Sequence, residues 1–262
     1  MSLSIYEKEG ELDVMNSKNN LDKPLTESMM EPLPNYNGFM WLISGASGSG
    51  KTTLLTSLMS QKSEKGKPKQ SYRKLFDRIL ICSPTLGNGK SLSKDPFKDI
   101  PEHQKWKTFN YQTMSEIMDT IEENNEEDEN TVLILDDIGA MLRKDAKAEK
   151  ILVSLGQNRR HVKCSIFILV QKYRDMPTGI RSNCSHFITF RPKNNLEIEG
   201  IMEEMCPFKK KHWQQIINYV FDNDDRHAFL MIDMSMKNTN KFIFYNKFNQ
   251  MYIEDEEEGI RN

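Results

Sequence analysis

The chain has 262 residues, with 36 Lys and Arg against 38 Asp and Glu, a length that suits one α/β domain with modest extensions. No run of about 18 apolar residues occurs, which excludes a helical membrane span, and the net charge of −2 argues neither for nor against a nucleic-acid partner. The charged N-terminus does not look like a signal peptide, and four widely spaced cysteines without a CxxC pair argue for a reducing compartment and against a zinc or disulfide framework.

In chain order, residues 1–36 are polar, contain Pro24, Pro32 and Pro34 and lack periodicity, so a mostly disordered arm is expected. Phe39-Met40-Trp41-Leu42-Ile43 is a short apolar run leading into a glycine-rich turn, the pattern of a strand buried on both faces. From Lys51, residues Leu54, Leu55, Leu58 and Met59 fall at helical spacing. A basic connector over 62–74 precedes a second strand over 77–83 and a Pro- and Gly-containing loop over 84–101. A helix follows over 112–123, with Met114, Ile117, Met118 and Ile121 on one face, and then an acidic linker.

Residues 131–135 form a third strand ending at Asp136-Asp137, and 146–158 form a helix with Ile151, Leu152 and Leu155 inward. The fourth strand, 165–170, ends at Gln171, and the fifth spans 186–190, with Cys82 and Cys164 as buried strand residues. Helices over 195–205 and 209–221 and strand-like runs over 228–232 and 241–245 extend the same sheet at its edge. Strands alternating with helices imply a mainly parallel sheet flanked by helices on both faces. The domain is expected over 37–253, with an acidic tail over 254–262. Met202, Met205, Met231, Met234, Met236, Trp106 and Trp213 read as packing residues.

Charge is unevenly distributed. Residues 119–129 carry seven acids and 254–258 carry five, which reads as solvated linker and tail. Residues 157–193 hold eight Lys and Arg with Asp175 as the one acid, and 61–78 hold seven against two acids. Either basic segment suits a polyanion surface and equally suits ordinary solvated surface.

Gly45-Ala46-Ser47-Gly48-Ser49-Gly50-Lys51-Thr52 matches GxxxxGK[ST] at every fixed position. Glycines let successive backbone N–H groups turn inward around a β-phosphate, and the following helix aims its positive end there. Lys51 reaches the β- and γ-oxygens, the Thr52 hydroxyl takes one Mg²⁺ position, and Thr53 continues the cradle. A chance match in this length is on the order of 1%, and the flanking strand and helix reduce it further. Val132-Leu133-Ile134-Leu135-Asp136-Asp137 is the natural second half. Asp136 would hold magnesium through water, and Asp137 would orient or deprotonate the attacking water. Gln171, closing the fourth strand, is placed to touch the γ-phosphate or that water.

A strand between the phosphate-loop strand and the Asp136 strand marks the P-loop division with sheet order 5-1-4-3-2. The series of P-loop, Leu-Ile-Leu-Asp-Asp, Arg160-His161 before an aliphatic strand ending in Gln171, Pro177 and Ile180-Arg181-Ser182-Asn183 resembles the FtsK–HerA superfamily. Within it the chain is most similar to genome-packaging ATPases of poxviruses, giant viruses and their relatives, over roughly 38–195. The resemblance implies a homo-oligomeric ring that hydrolyses ATP with Mg²⁺ and pulls double-stranded DNA through a central pore, with capsid or portal components as further partners. It places the protein in the host cytoplasm or viral factory, or in the virion. Arg160 would be an arginine finger reaching the neighbouring subunit's ATP, with Arg159 and Arg181 as alternatives. Other readings are a related DNA-transfer motor or helicase, and a nucleotide-switched binding protein that hydrolyses little.

Overall fold

The computed structural model describes residues 23–84, 97–235, 242–255 and 259–260, with 254–255 and 259–260 by backbone alone. Nine of its strands form one sheet. In chain order they are β1 (Met40–Ser44), β2 (Arg78–Cys82), β3 (Lys105–Trp106), β4 (Thr131–Asp136), β5 (Cys164–Val170), β6 (His186–Phe190), β7 (Phe229–Asp233), β8 (Ile243–Asn246) and β9 (Asn249–Met251). Across the sheet they lie β3-β2-β4-β5-β1-β6-β7-β8-β9. Pairing is parallel through β6 and antiparallel from β7 onward. The five strands expected from sequence therefore lie β6-β1-β5-β4-β2, or 5-1-4-3-2 in their own counting. β3 went unread, because two residues are too short to show a period.

This order sets up the site. β5 is inserted between β1 and β4, so that Ile168 faces Leu42 on one side and Leu135 on the other. At the carboxyl ends, Ser44 pairs with Val170 and Asp136 pairs with Leu169. Three strands thus deliver their last residues to one edge.

Among the described residues, seven helices flank the sheet: α1 (Lys51–Ser60), α2 (Tyr111–Glu126), α3 (Gly139–Leu142), α4 (Ala146–Asn158), α5 (Thr178–Arg181), α6 (Asn195–Met205) and α7 (Lys210–Phe221). Alternation along each strand feeds two cores. Trp41, Ile43, Phe167 and Leu169 pack with Leu55, Leu58 and Met59 of α1. Met40, Leu42, Ile166 and Ile168 enter the other core, with Ile117 of α2, Leu152 of α4, Met202 of α6 and Val220 of α7. Both faces are buried, which explains continuous apolar strands without alternation. Cys82 and Cys164 sit in these strands fully buried, and burial pushes both thiols up to about 12. No cluster of metal-ligating side chains occurs among the described residues.

Helix starts follow their capping residues. Asn110 accepts from Thr113 N at 2.9 Å to open α2. Asp145 accepts from Lys147 N and Ala148 N with one oxygen, and from Tyr111 N at 2.7 Å with the other, so one carboxylate starts α4 and ties it to α2. These bonds hold its pKa low.

Three expectations differ from the structure. The acidic stretch is not a linker in its first part: α2 continues to Glu126, because Ile121 and Asn124 remain on its buried face while the acids point outward. Its end is tied to the sheet's amino edge, where Arg78 pairs with Glu129 at 2.5 Å and Lys163 with Asp128. Residues 23–36, expected in a disordered arm, are packed: Met30 N bonds Lys69 O, Thr26 N bonds Asn35 Oδ1, and Leu25, Met29 and Leu33 lie on the α1-side core. In the acidic tail, β10 (Glu254–Asp255) pairs with β11 (Gly259–Ile260). Most of the expected loop over 84–101, residues 1–22 of the arm, and Met236 lie outside the described residues.

Candidate nucleotide site

The site begins with the loop between β1 and α1. Gly48 and Gly50 take φ of 78° and 112°, in the region that disfavours side chains. Gly45 is needed for room: a Cβ there would lie 2.8 Å from Phe190 Cβ and 2.7 Å from Ser49 Oγ. Gly50 caps α1 without a side-chain acceptor, so the first-turn N–H groups depend on a ligand or water. Residues 45–52 thus form a turn whose backbone donors and helix dipole favour an anion.

Lys51 folds back over this turn, its Nζ donating to Gly45 O at 2.6 Å and Ala46 O at 3.0 Å. Burial pulls its pKa down, while the charges of Asp136 and Asp137 pull it up. A part-buried ammonium resting on its own carbonyls can exchange them for phosphate oxygens without crossing the site. Thr52 and Thr53 are exposed at the start of α1.

Asp136 closes β4. Its half-buried carboxylate accepts from Ser83 Oγ at 3.2 Å, from the residue after β2. Burial raises its pKa above 3.8, and Asp137 adds to the rise against Ser83 and Lys51. A desolvated carboxylate beside a second one is stabilised by a cation, and with the Thr52 hydroxyl it offers the hard oxygen donors that Mg²⁺ prefers. Asp137 has φ of 55°, unusual outside glycine but tolerated by aspartate, and its N–H donates to Leu169 O. Gln171 Nε2 donates to both Asp137 oxygens, at 3.0 and 2.8 Å. The glutamine read as a phosphate or water contact is thus held against Asp137, one strand away.

Two contacts escaped the sequence reading. Ser83 gave no signal beyond ending a strand. His227, in the turn before β7, places Nδ1 2.8 Å from Ser49 O.

The three arginine alternatives separate cleanly. Arg159 Nε donates to Gly38 O at 2.8 Å and its NH1 to Gly156 O, which fixes the guanidinium to the backbone; burial lowers its pKa. Arg181 forks onto Glu204 at 2.8 and 2.6 Å, also donates to Thr178 Oγ1, and lies over the Tyr173 ring at 4.9 Å. Arg160 is half-exposed and lines a cavity of about 510 Å³ with Lys23, Asn37, Asp128 and His161. All three lie near the amino ends of β5, β1 and β6, away from the phosphate loop. The basic segment 157–193 is less available than its composition implies: Arg191 also donates to Phe221 O and Asn223 O, and Lys163 pairs with Asp128.

A family model described as Poxvirus A32 protein matches residues 33–260. DNA packaging protein OPG160 of Variola virus is 28% identical over 180 residues, covering 69% of this chain and 62% of that protein. The same-named protein of Vaccinia virus (strain Copenhagen) gives the same figures, so this chain spans 62% of the length of these relatives. Among solved structures, B204, the DNA-packaging ATPase from Sulfolobus Turreted Icosahedral Virus, superposes with a TM-score of 0.54 at 14% identity, over 80% of this chain and 97% of that one. The genome packaging NTPase B204 from Sulfolobus turreted icosahedral virus 2, in complex with ATP-gammaS, superposes at 0.50 with 13% identity, over 79% and 96%. These two likenesses concern the fold. The family match takes in the phosphate loop, the Asp136-Asp137 strand, Gln171 and the antiparallel edge together, and this chain belongs to the poxvirus A32 protein family.

Proposed function

We propose that this chain hydrolyses ATP and couples the reaction to movement of double-stranded DNA during packaging of a viral genome. The observation that carries the reading is the meeting of Lys51, Asp136, Asp137 and Gln171 at one edge of the sheet, in a member of a family whose relatives are named DNA packaging proteins. The backbone donors of residues 45–52 and Lys51 would bind the phosphates, and Thr52 and Asp136 would hold Mg²⁺. A bound Mg²⁺ supplies charge neutralisation at the β- and γ-oxygens. Asp137 would orient the attacking water and accept its proton, with Gln171 setting the carboxylate's angle.

Arg160 could act in catalysis only within a ring. It precedes β5, while Gln171 follows it, and seven residues of strand separate the two by about 20 Å. An arginine side chain cannot cross that distance to its own γ-phosphate, so any catalytic role for Arg160 requires a neighbouring subunit. Non-sequence-specific contacts to DNA phosphates would fall to exposed cations such as Lys172 and Lys193.

The test is steady-state ATPase rate with and without long double-stranded DNA of varied sequence. Stimulation independent of base composition is expected, with affinity falling by a log–log slope of about −0.9 per phosphate contact as salt rises. One observation favours the nucleotide-switched reading: both Asp137 oxygens are engaged by Gln171, which leaves the base occupied. ATP binding with negligible turnover and no DNA effect would establish that alternative.

A further inference from the structure

The turn between α7 and β7 reaches back to the phosphate loop and touches it through one ring. His227 Nδ1 lies 2.8 Å from Ser49 O. A carbonyl oxygen only accepts, so Nδ1 carries the hydrogen and the imidazole donates. The approach depends on Gly50: a Cβ there would stand 3.1 Å from His227 Nδ1 and 3.4 Å from Phe190 Cε1. Gly50 therefore serves the loop twice, by its φ of 112° and by leaving room for the histidine.

The histidine is itself held. Its backbone N–H donates to Asp225 Oδ1 at 2.8 Å, and Asp225 N donates to Asn223 Oδ1 at 2.9 Å. Asp225 Oδ2 pairs with Lys247 Nζ at 2.5 Å, between β8 and β9. Arg191, just past β6, donates to Asn223 O at 2.8 Å. The turn that carries the ring is therefore tied to β6 and to the β8–β9 turn.

The peptide geometry gives this contact a consequence. In a trans peptide the C=O and the next N–H point in opposite directions. The Ser49 carbonyl points at His227, so the Gly50 N–H points away from it. That N–H is among the backbone donors a β-phosphate would meet. We infer that His227 is a positioning residue of the phosphate loop, which fixes the Ser49–Gly50 peptide with its N–H facing the bound phosphate. The inference rests on the nucleotide-binding reading above and adds to it a residue far off in sequence.

Substitution of the ring tests this by binding, with no turnover needed. Affinity of the full chain for Mg·ATPγS and for inorganic triphosphate should each fall about tenfold in His227→Ala. His227→Asn should recover most of the loss, because its amide nitrogen takes the place of Nδ1, whereas His227→Gln, which carries its nitrogen farther out, should recover little. Thermal melting of the nucleotide-free variants should match wild type. Wild-type affinity in His227→Ala overturns the inference. Loss for ATPγS with unchanged triphosphate binding also overturns it, since the ring would then act on the base or ribose. Lys51→Ala is the separating control: if it loses ATPγS while His227→Ala does not, the phosphate site stands and only the role of His227 fails. Absence of ATPγS binding by the wild-type protein would instead remove the nucleotide reading itself.

Discussion

The carboxyl and amino edges of the parallel sheet draw on similar charged residues and end up differently. At the carboxyl edge, Lys51 rests on the carbonyls of its own loop, Asp136 is half-buried beside a second carboxylate, and the first turn of α1 has no side-chain cap. These groups are incompletely compensated and close together. At the amino edge, Arg78, Arg159, Lys163 and Arg181 each hold a carboxylate or carbonyl partner. Charge there ties the ends of α2 and α4 to the sheet and α5 to α6. The comparison separates binding potential from charge count: a cation satisfied within its own chain stabilises the fold and attracts little else.

The largest effect should come from the carboxyl edge. Lys51→Ala is expected to reduce ATP hydrolysis to background while leaving the melting temperature near wild type, because its Nζ bonds only loop carbonyls. Turnover near wild type would remove Lys51 from the site.

At the amino edge the comparison predicts opposite behaviour for neighbouring arginines. Arg160→Ala should bind ATP normally and hydrolyse it about 10³-fold or more slowly, the scale of an arginine supplied in trans. Mixing it with Lys51→Ala should restore partial activity, peaking near equal amounts, if subunits exchange. Arg159→Ala should instead lose stability, by about 1.5–3 kcal/mol for hydrogen bonds to a charged group, and keep its turnover per folded molecule. Equal effects on turnover from both arginines would erase the distinction drawn between them.

Asp137→Asn should keep nucleotide binding and lose about 10²–10⁴ in rate, the range for a positioned general base. Gln171→Ala frees the carboxylate to rotate and should lose less than Asp137→Asn does. A larger loss from Gln171→Ala, measured in single turnover, would mean that the amide itself touches the reacting groups.

The smallest effect concerns Asp136 without ligand. Its folded pKa is raised above 3.8 by burial, so its contribution to stability is fully present below 3.8 and is lost as pH rises through the raised value. Asp136→Asn should therefore melt higher than wild type near neutral pH and converge with it in acid. Melting curves of the nucleotide-free proteins across the acid range decide this. A lower melting temperature at neutral pH would show that the charged form is the better accommodated one.

Residues 45–52 could be marked as a candidate phosphate loop without a structure because the role proposed for them is a backbone role. The turn needs glycine at 48 and 50 for their positive φ and at 45 for room, and those needs write themselves into one short run of residues. The acid pair was readable for a related reason, since a strand buried on both faces leaves an unbroken aliphatic run with its carboxylates at the end. Helical periodicity likewise placed α4 and α6 at their observed bounds, Ala146–Asn158 and Asn195–Met205. What tertiary structure alone decided are contacts between residues far apart in the chain. The acids of 119–129 resemble a linker until Ile121 and Asn124 meet the core, and no local rule told Arg159 from Arg160 until Gly38 took one of them. Gln171 meets Asp137 because β5 lies beside β4, and His227 meets Ser49 because β7 pairs with β6 and brings its preceding turn to the loop. Periodicity and glycine spacing record what each segment needs of its own backbone. Which side chains face one another across the sheet is set by strand order and register, which only the packing of both cores selects.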